Sequence, residues 1–140
     1  MEKILNYING ELVEPKSNEW IKNINPANGK HYSNIPLSGQ SDVNEAVEAA
    51  KKSFPAWSTT PAGERSAIMA RLADLVAKNA QELARAESID NGKPISLAAH
   101  VDIPRAESNI RFFSSAIVHY ASEAHIMEDS AVNYTNRKPI

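Results

Sequence analysis

The 140-residue sequence contains no cysteine, so disulfides, thiolate metal sites and a cysteine nucleophile are all excluded from this chain. It also lacks an excess of either charge: 15 Lys and Arg stand against 17 Asp and Glu, a formal net charge of −2. Phosphate-rich partners and anionic membranes are recognised through clustered positive charge, so a general nucleic-acid or membrane-surface role is not expected. Apolar runs are only a few residues long, far short of the roughly 20 that cross a bilayer, and Met1 to Asn6 has no apolar signal core. These absences fit a soluble protein of a reducing, cytoplasmic compartment. The length suits one domain.

Glycine is scarce as well. The five glycines, at 10, 29, 39, 63 and 92, lie far apart, whereas a dinucleotide site of the usual kind needs them closely spaced so that a helix N-terminus can approach the pyrophosphate. Gly92-Lys93 does not make a phosphate loop, because Glu87 stands where its first glycine would be and Pro94 where its hydroxyl residue would be. His119 and His125 are too far out of helical phase to share a metal, and no His-Glu-x-x-His pattern occurs. No serine sits in a Gly-x-Ser-x-Gly elbow, which leaves nucleophilic hydrolysis without a centre.

What is present divides into two parts by composition. Residues 1–40 are rich in Asn, Gly, Pro and Ser and read as hairpins. Asn9-Gly10 between short β-prone runs signals a type I′ turn. A second hairpin runs from Trp20 to Ile24, turns through Asn25 to Gly29, and returns from His31 to Pro36.

From Ser41 to Ser122 alanine and helical spacing take over. Ser41 is placed to cap the first helix, whose stripe is Val43, Ala46, Val47, Ala50 and Phe54 and which Pro55 ends or kinks. Thr60-Pro61 starts a longer second helix, with Ile68, Leu72, Leu75, Val76 and Leu83 on one face and an Asp74–Lys78 pair on another. Gly92 suits its left-handed cap. The third helix reads from about Ile95 to Ser122 with the stripe Ala106, Ile110, Phe113, Ile117 and Tyr120, and Pro104 predicts a broken turn near Ile103. Arg105 and Arg111 on this helix are out of phase, so at most one belongs to any single site; the spacing alone favours for each a surface arginine lying along its own stem. The end, from Ala131 to Ile140, alternates like a strand.

In order and spacing these segments resemble the N-terminal part of the aldehyde dehydrogenase superfamily over essentially the whole chain. The matching runs are Tyr-Ile-Asn-Gly-Glu at 7–11, Ile-Asn-Pro-Ala-Asn-Gly at 24–29, Ala-Val-Glu-Ala-Ala-Lys-Lys-Ser-Phe-Pro-Ala-Trp at 46–57, Glu-Arg at 64–65, Leu-Ala-Asp-Leu at 72–75, Glu-Leu-Ala at 82–84 and Asp-Asn-Gly-Lys-Pro at 90–94. Within the superfamily, Val-Asp-Ile-Pro-Arg at 101–105, Phe-Phe at 112–113 and Asn-Tyr-Thr-Asn-Arg-Lys-Pro-Ile at 133–140 look most like the 2-hydroxymuconic and 2-aminomuconic semialdehyde dehydrogenases.

The resemblance implies an α/β parent that oxidises an aldehyde to a carboxylate with NAD or NADP. It assigns 1–40 to hairpins, 41–122 to helices of the cofactor-binding domain and 123–140 to the start of an oligomerisation or linking strand region. It implies that the cysteine nucleophile, the glutamate base and the dinucleotide site lie outside this chain, which is then an N-terminal fragment, natural or excised, inactive alone and marginal in stability. The resemblance places Arg105 at the substrate entrance, where a guanidinium suits a carboxylate-bearing semialdehyde. It also places the backbone carbonyls of Asn23 and Ile24, with the Asp90 carboxyl, around a monovalent cation such as Na+ or K+; a plain turn at Asn23 and a capping role for Asp90 are the alternative. The parent is expected to be a homo-oligomer. A different expectation is a noncatalytic truncated paralogue that docks on dehydrogenase subunits through its terminal strand.

Overall fold

The computed structural model describes residues 2–128 and 130–139. Its N-terminal part holds five strands: β1 (Glu2–Lys3), β2 (Asn6–Ile8), β3 (Glu11–Val13), β4 (Trp20–Asn25) and β5 (Lys30–Pro36). Strands β2 and β3 form the hairpin expected from Asn9-Gly10, both turn residues having positive φ (55° and 86°) as a type I′ turn requires. Strands β4 and β5 form the second hairpin, and β1 adds to β5 in parallel, a pairing the short N-terminal run did not announce. The β4–β5 ladder keeps one register from Trp20–Pro36 to Asn23–Ser33 and then pairs Ile24 with His31. Tyr32 is thus the extra residue of a β-bulge, a device that redirects side chains.

Helix α1 (Gln40–Thr59) starts one residue before Ser41, and its cap differs from the expected one. Gly39 is the N-cap residue, and Asp42 in the first turn reaches back to accept its backbone N–H at 2.8 Å. The other Asp42 oxygen accepts from the Lys16 backbone N–H at 2.9 Å, which ties the β3–β4 connection to the helix. Asp42 is only 4% exposed, and these backbone donors hold its carboxyl below the usual range. Pro55 neither ends nor visibly divides α1, which runs on to Thr59; the carbonyls near its end are met instead by the hydroxyls of Ser58, Thr59 and Thr60.

The expected long second helix is two. Helix α2 (Ala62–Lys78) stops at Asn79, whose φ and ψ of −101° and 16° leave the helical region, and α3 (Ala80–Asn91) begins there. Asn79 satisfies both sides of the break: its backbone and side-chain N–H groups donate to the Leu75 carbonyl, and its own carbonyl accepts from Leu83. Gly92 closes α3 in the left-handed conformation, as expected.

The third helical region is also divided. A short turn, α4 (Ile95–Leu97), leads into a π turn (Ala98–Asp102) and then α5 (Ile103–His119). The wide turn lies where Pro104, which has no N–H and crowds the carbonyl four residues back, predicts a broken ladder. Ile103 donates to Ala98, five residues earlier. On α5 Ser114 is buried and Ile103, Glu107, Ile110 and Ile117 are half-buried, whereas Phe113 of the expected stripe points out and is 62% exposed. Its ring meets Phe112 edge-on at 5.1 Å.

Helices α2 and α5 make the most extensive helix pair, with the small residues Ala73 and Ser114 buried. Small buried side chains allow close helix approach, and Ala84 and Ala98 extend that pattern to α3 and the π turn. The expected Asp74–Lys78 pair is replaced by a link between helices, Asp74 Oδ1 accepting from Arg111 at 2.9 Å. The expected terminal strand is one arm of a hairpin: β6 (Ala124–Met127) pairs with β7 (Ala131–Tyr134), and the strand ends at Tyr134. Every residue of both arms is exposed.

Candidate functional site

Asp90 lies in the last turn of α3 and faces the bulged strand pair. Its Oδ1 accepts from the Tyr32 hydroxyl at 2.6 Å and from Asn23 Nδ2 at 3.0 Å, and Asn23 Nδ2 also donates to the Tyr32 oxygen at 2.8 Å. These donors hold the Asp90 carboxyl below its usual range, Tyr32 more strongly than Asn23. The same bond pushes the Tyr32 phenol up, since ionising it would put a second negative charge against Asp90. The bulge that places Tyr32 here leaves no simple alternation in the sequence, so its part in the site was missed; Asn23 and Asp90 were expected together and are together.

Asn23 turns its amide nitrogen, a donor, toward Asp90. Asp90 Oδ2 accepts no hydrogen bond among the described residues. Among the described residues no three His, Asp or Glu side chains converge to hold a metal. The cluster opens on a groove of about 780 Å³ that runs from Asn23 and Tyr32 past Glu87 to Ile103. Ser33, fully buried in its wall, has a hydroxyl with no hydrogen-bond partner among the described residues.

The two arginines of α5 differ in kind. Arg111 is neutralised by Glu107 at 2.6 Å and Asp74 at 2.9 Å, and its guanidinium is pushed up by both. It pins α5 to α2. Arg105, in the first turn of α5, is exposed and makes no ion pair or hydrogen bond among the described residues.

Lys93, which the sequence raised only for a phosphate loop that fails, is part of a bridge between elements. Its ammonium lies 2.6 Å from Asp102 and 2.9 Å from Glu87, a bridge from the end of α3 to the last residue of the π turn. Asp102 first, then Glu87, raises its affinity for the proton. The spacing 87, 93, 102 follows no helical period, and only the fold brings the three together.

The sequence model of the aldehyde dehydrogenase family matches residues 12–140. The chain belongs to the aldehyde dehydrogenase family. It is 43% identical over 136 residues to the 2-aminomuconic semialdehyde dehydrogenase of Bos taurus, a match that covers 96% of this chain and 28% of that protein. It is 35% identical over 140 residues to the 5-carboxymethyl-2-hydroxymuconate semialdehyde dehydrogenase of Escherichia coli, covering 100% of this chain and 30% of the relative. In three dimensions it is similar to an indole-3-acetaldehyde dehydrogenase of P. syringae solved with NAD+ and IAA, with a TM-score of 0.90 and 32% identity over 95% of this chain and 27% of that one. The chain thus spans little more than a quarter of the dehydrogenases it matches, and the expected aldehyde dehydrogenase fold class holds.

Proposed function

We propose that residues 1–140 serve as the N-terminal portion of an NAD(P)-dependent aldehyde dehydrogenase whose substrate is a carboxylate-bearing semialdehyde. The observation that carries the substrate class is Arg105: an exposed guanidinium in the first turn of α5, with no hydrogen bond or ion pair among the described residues, can take a carboxylate bidentately. The names of the bovine and Escherichia coli relatives, both semialdehyde dehydrogenases of muconate-type acids, support the same class.

The chain by itself is inactive in this reading. It has no cysteine to add to an aldehyde, and its separated glycines build no dinucleotide turn. The thiol, the glutamate that activates water and the NAD or NADP site belong to residues beyond these 140. The Asn23, Ile24 and Asp90 oxygens hold a Na+ or K+ ion that braces the second hairpin against α3. The fully exposed β6–β7 hairpin supports contacts between subunits of a homo-oligomer.

The same hairpin is the observation that favours the second reading, a noncatalytic module docking on dehydrogenase subunits. Two measurements test the first reading. The purified chain should give no aldehyde-dependent NAD reduction, and detectable turnover overturns its inactivity. An enzyme joining residues 1–140 to the remainder of the Escherichia coli relative should oxidise carboxylate-bearing semialdehydes in preference to neutral aldehydes. Arg105→Ala should cost that preference on the order of ten- to a hundredfold in kcat/KM. An unchanged preference removes Arg105 from the substrate site.

A further inference from the structure

Lys93 is held at every polar group it has. Its backbone N–H donates to Asn91 Oδ1 at 3.0 Å, its carbonyl accepts from the Ser88 hydroxyl at 2.7 Å, and its half-buried ammonium bridges Glu87 and Asp102. Glu87 is itself fixed by Asn91 Nδ2 at 2.6 Å. The anchored end of this bridge therefore belongs to the closing turn of α3, between the left-handed Gly92 and Pro94. Its other end is Asp102, the last residue of the π turn, three residues before Arg105.

Helical phase explains why that position matters. Each residue turns the helix by about 100°, so the one extra residue of a π turn rotates everything after it by about that amount relative to an unbroken α-helix. Arg105 is the first charged side chain after the turn, and its direction depends on whether Asp102 stays where the wide turn puts it. Pro104 favours the wide turn from within the helix; the Lys93 bridge pins it from outside.

We propose that Lys93 is a positioning residue: through Asp102 it locks the π turn and so sets the face on which Arg105 meets the substrate carboxylate. The inference rests on the assignment of Arg105 to the substrate. Lys93 does not touch substrate, and its influence falls on the recognition of the remote carboxylate rather than on the oxidation itself.

The test uses the joined enzyme with two substrates, a carboxylate-bearing semialdehyde and a neutral aldehyde of similar length. Lys93→Met should raise KM for the semialdehyde on the order of ten- to a hundredfold, the scale at which misplacing a binding group is felt. It should leave kcat for both substrates and KM for the neutral aldehyde unchanged. Lys93→Arg, which keeps the charge, should recover most of the loss, and Lys93→Met combined with Arg105→Ala should be no worse than Arg105→Ala alone.

An equal loss on both substrates, or no loss on either, overturns the proposal. If Arg105→Ala leaves the preference intact, the substrate assignment fails instead, and the positioning claim is then judged on hydrogen exchange. The Ile103 amide, bonded to Ala98 across the π turn, should exchange faster in Lys93→Met while the amides of α1 do not change. Unchanged exchange at Ile103 refutes the lock.

Discussion

A single buried carboxylate joins two parts of the N-terminal half. Asp42 accepts two backbone donors from different parts of the chain, the α1 cap at Gly39 and the connection at Lys16. The sequence places Ser41 as the cap because its hydroxyl reaches forward, but a carboxylate in the first turn that reaches back can serve two donors and also suits the positive end of the helix dipole. A carboxyl whose pKa is lowered by folding stabilises the fold above its unfolded value, and that contribution is lost as pH falls through the lowered folded value. Asp42→Ala should therefore lower the unfolding midpoint at pH 7 by the amount usual for a lost helix cap. The gap between wild type and variant should narrow only below about pH 4. A gap that persists unchanged at pH 2, followed by circular dichroism, contradicts this role.

At the scale of elements, the join between α3 and the β4–β5 turn is the most constrained. Gly92 has φ of +78°, and a Cβ placed there would stand 3.1 Å from Pro26 Cβ and 3.2 Å from the Ala27 nitrogen. Gly92→Ala thus meets both left-handed strain and backbone, and in the joined enzyme should cost on the order of 1–3 kcal/mol of local stability, read from hydrogen exchange at the end of α3. Gly63→Ala on α2, with nothing within 4 Å, should instead gain up to about 1 kcal/mol. Comparable losses at both positions would mean that the close approach to Pro26 does not matter.

Gly92 also marks how far local signals carry. Asn9-Gly10, Gly92 and Pro104 each constrain their own backbone, so the first hairpin, the end of α3 and the broken turn were all legible. Asn79 ends a helix through bonds any asparagine could make, and the bulge at Tyr32 depends on the partner strand, so neither was. The stripe expected on α5 followed its large side chains, yet only Ile110 and Ile117 of it are half-buried while Phe113 and Tyr120 are exposed, because the face packed on α2 is built round the small Ser114. At the site, Asn23, Ile24, Asp90 and Arg105 came from family resemblance, while Tyr32 and Lys93 needed the fold.

The whole molecule exposes 10539 Å². A folded monomer of 15.3 kDa ordinarily exposes about 7,100 Å², so this chain shows about half as much surface again. The excess has an apolar component on several elements: Val43, Val47, Phe54 and Trp57 on α1, Ile68, Leu72 and Leu75 on α2, and Leu83 on α3 are all more than a third exposed. An ordinary protein–protein interface covers about 800 Å² per partner, too little for a surplus of this size, and this supports packing inside a larger dehydrogenase over docking through one hairpin. Left uncovered, such faces find one another. The isolated chain should sediment as concentration-dependent oligomers, bind a hydrophobic dye such as ANS and unfold over a broad temperature range. A monomer with a sharp, concentration-independent transition would show instead that the small-residue contacts of α2, α3 and α5 hold this fold without further cover.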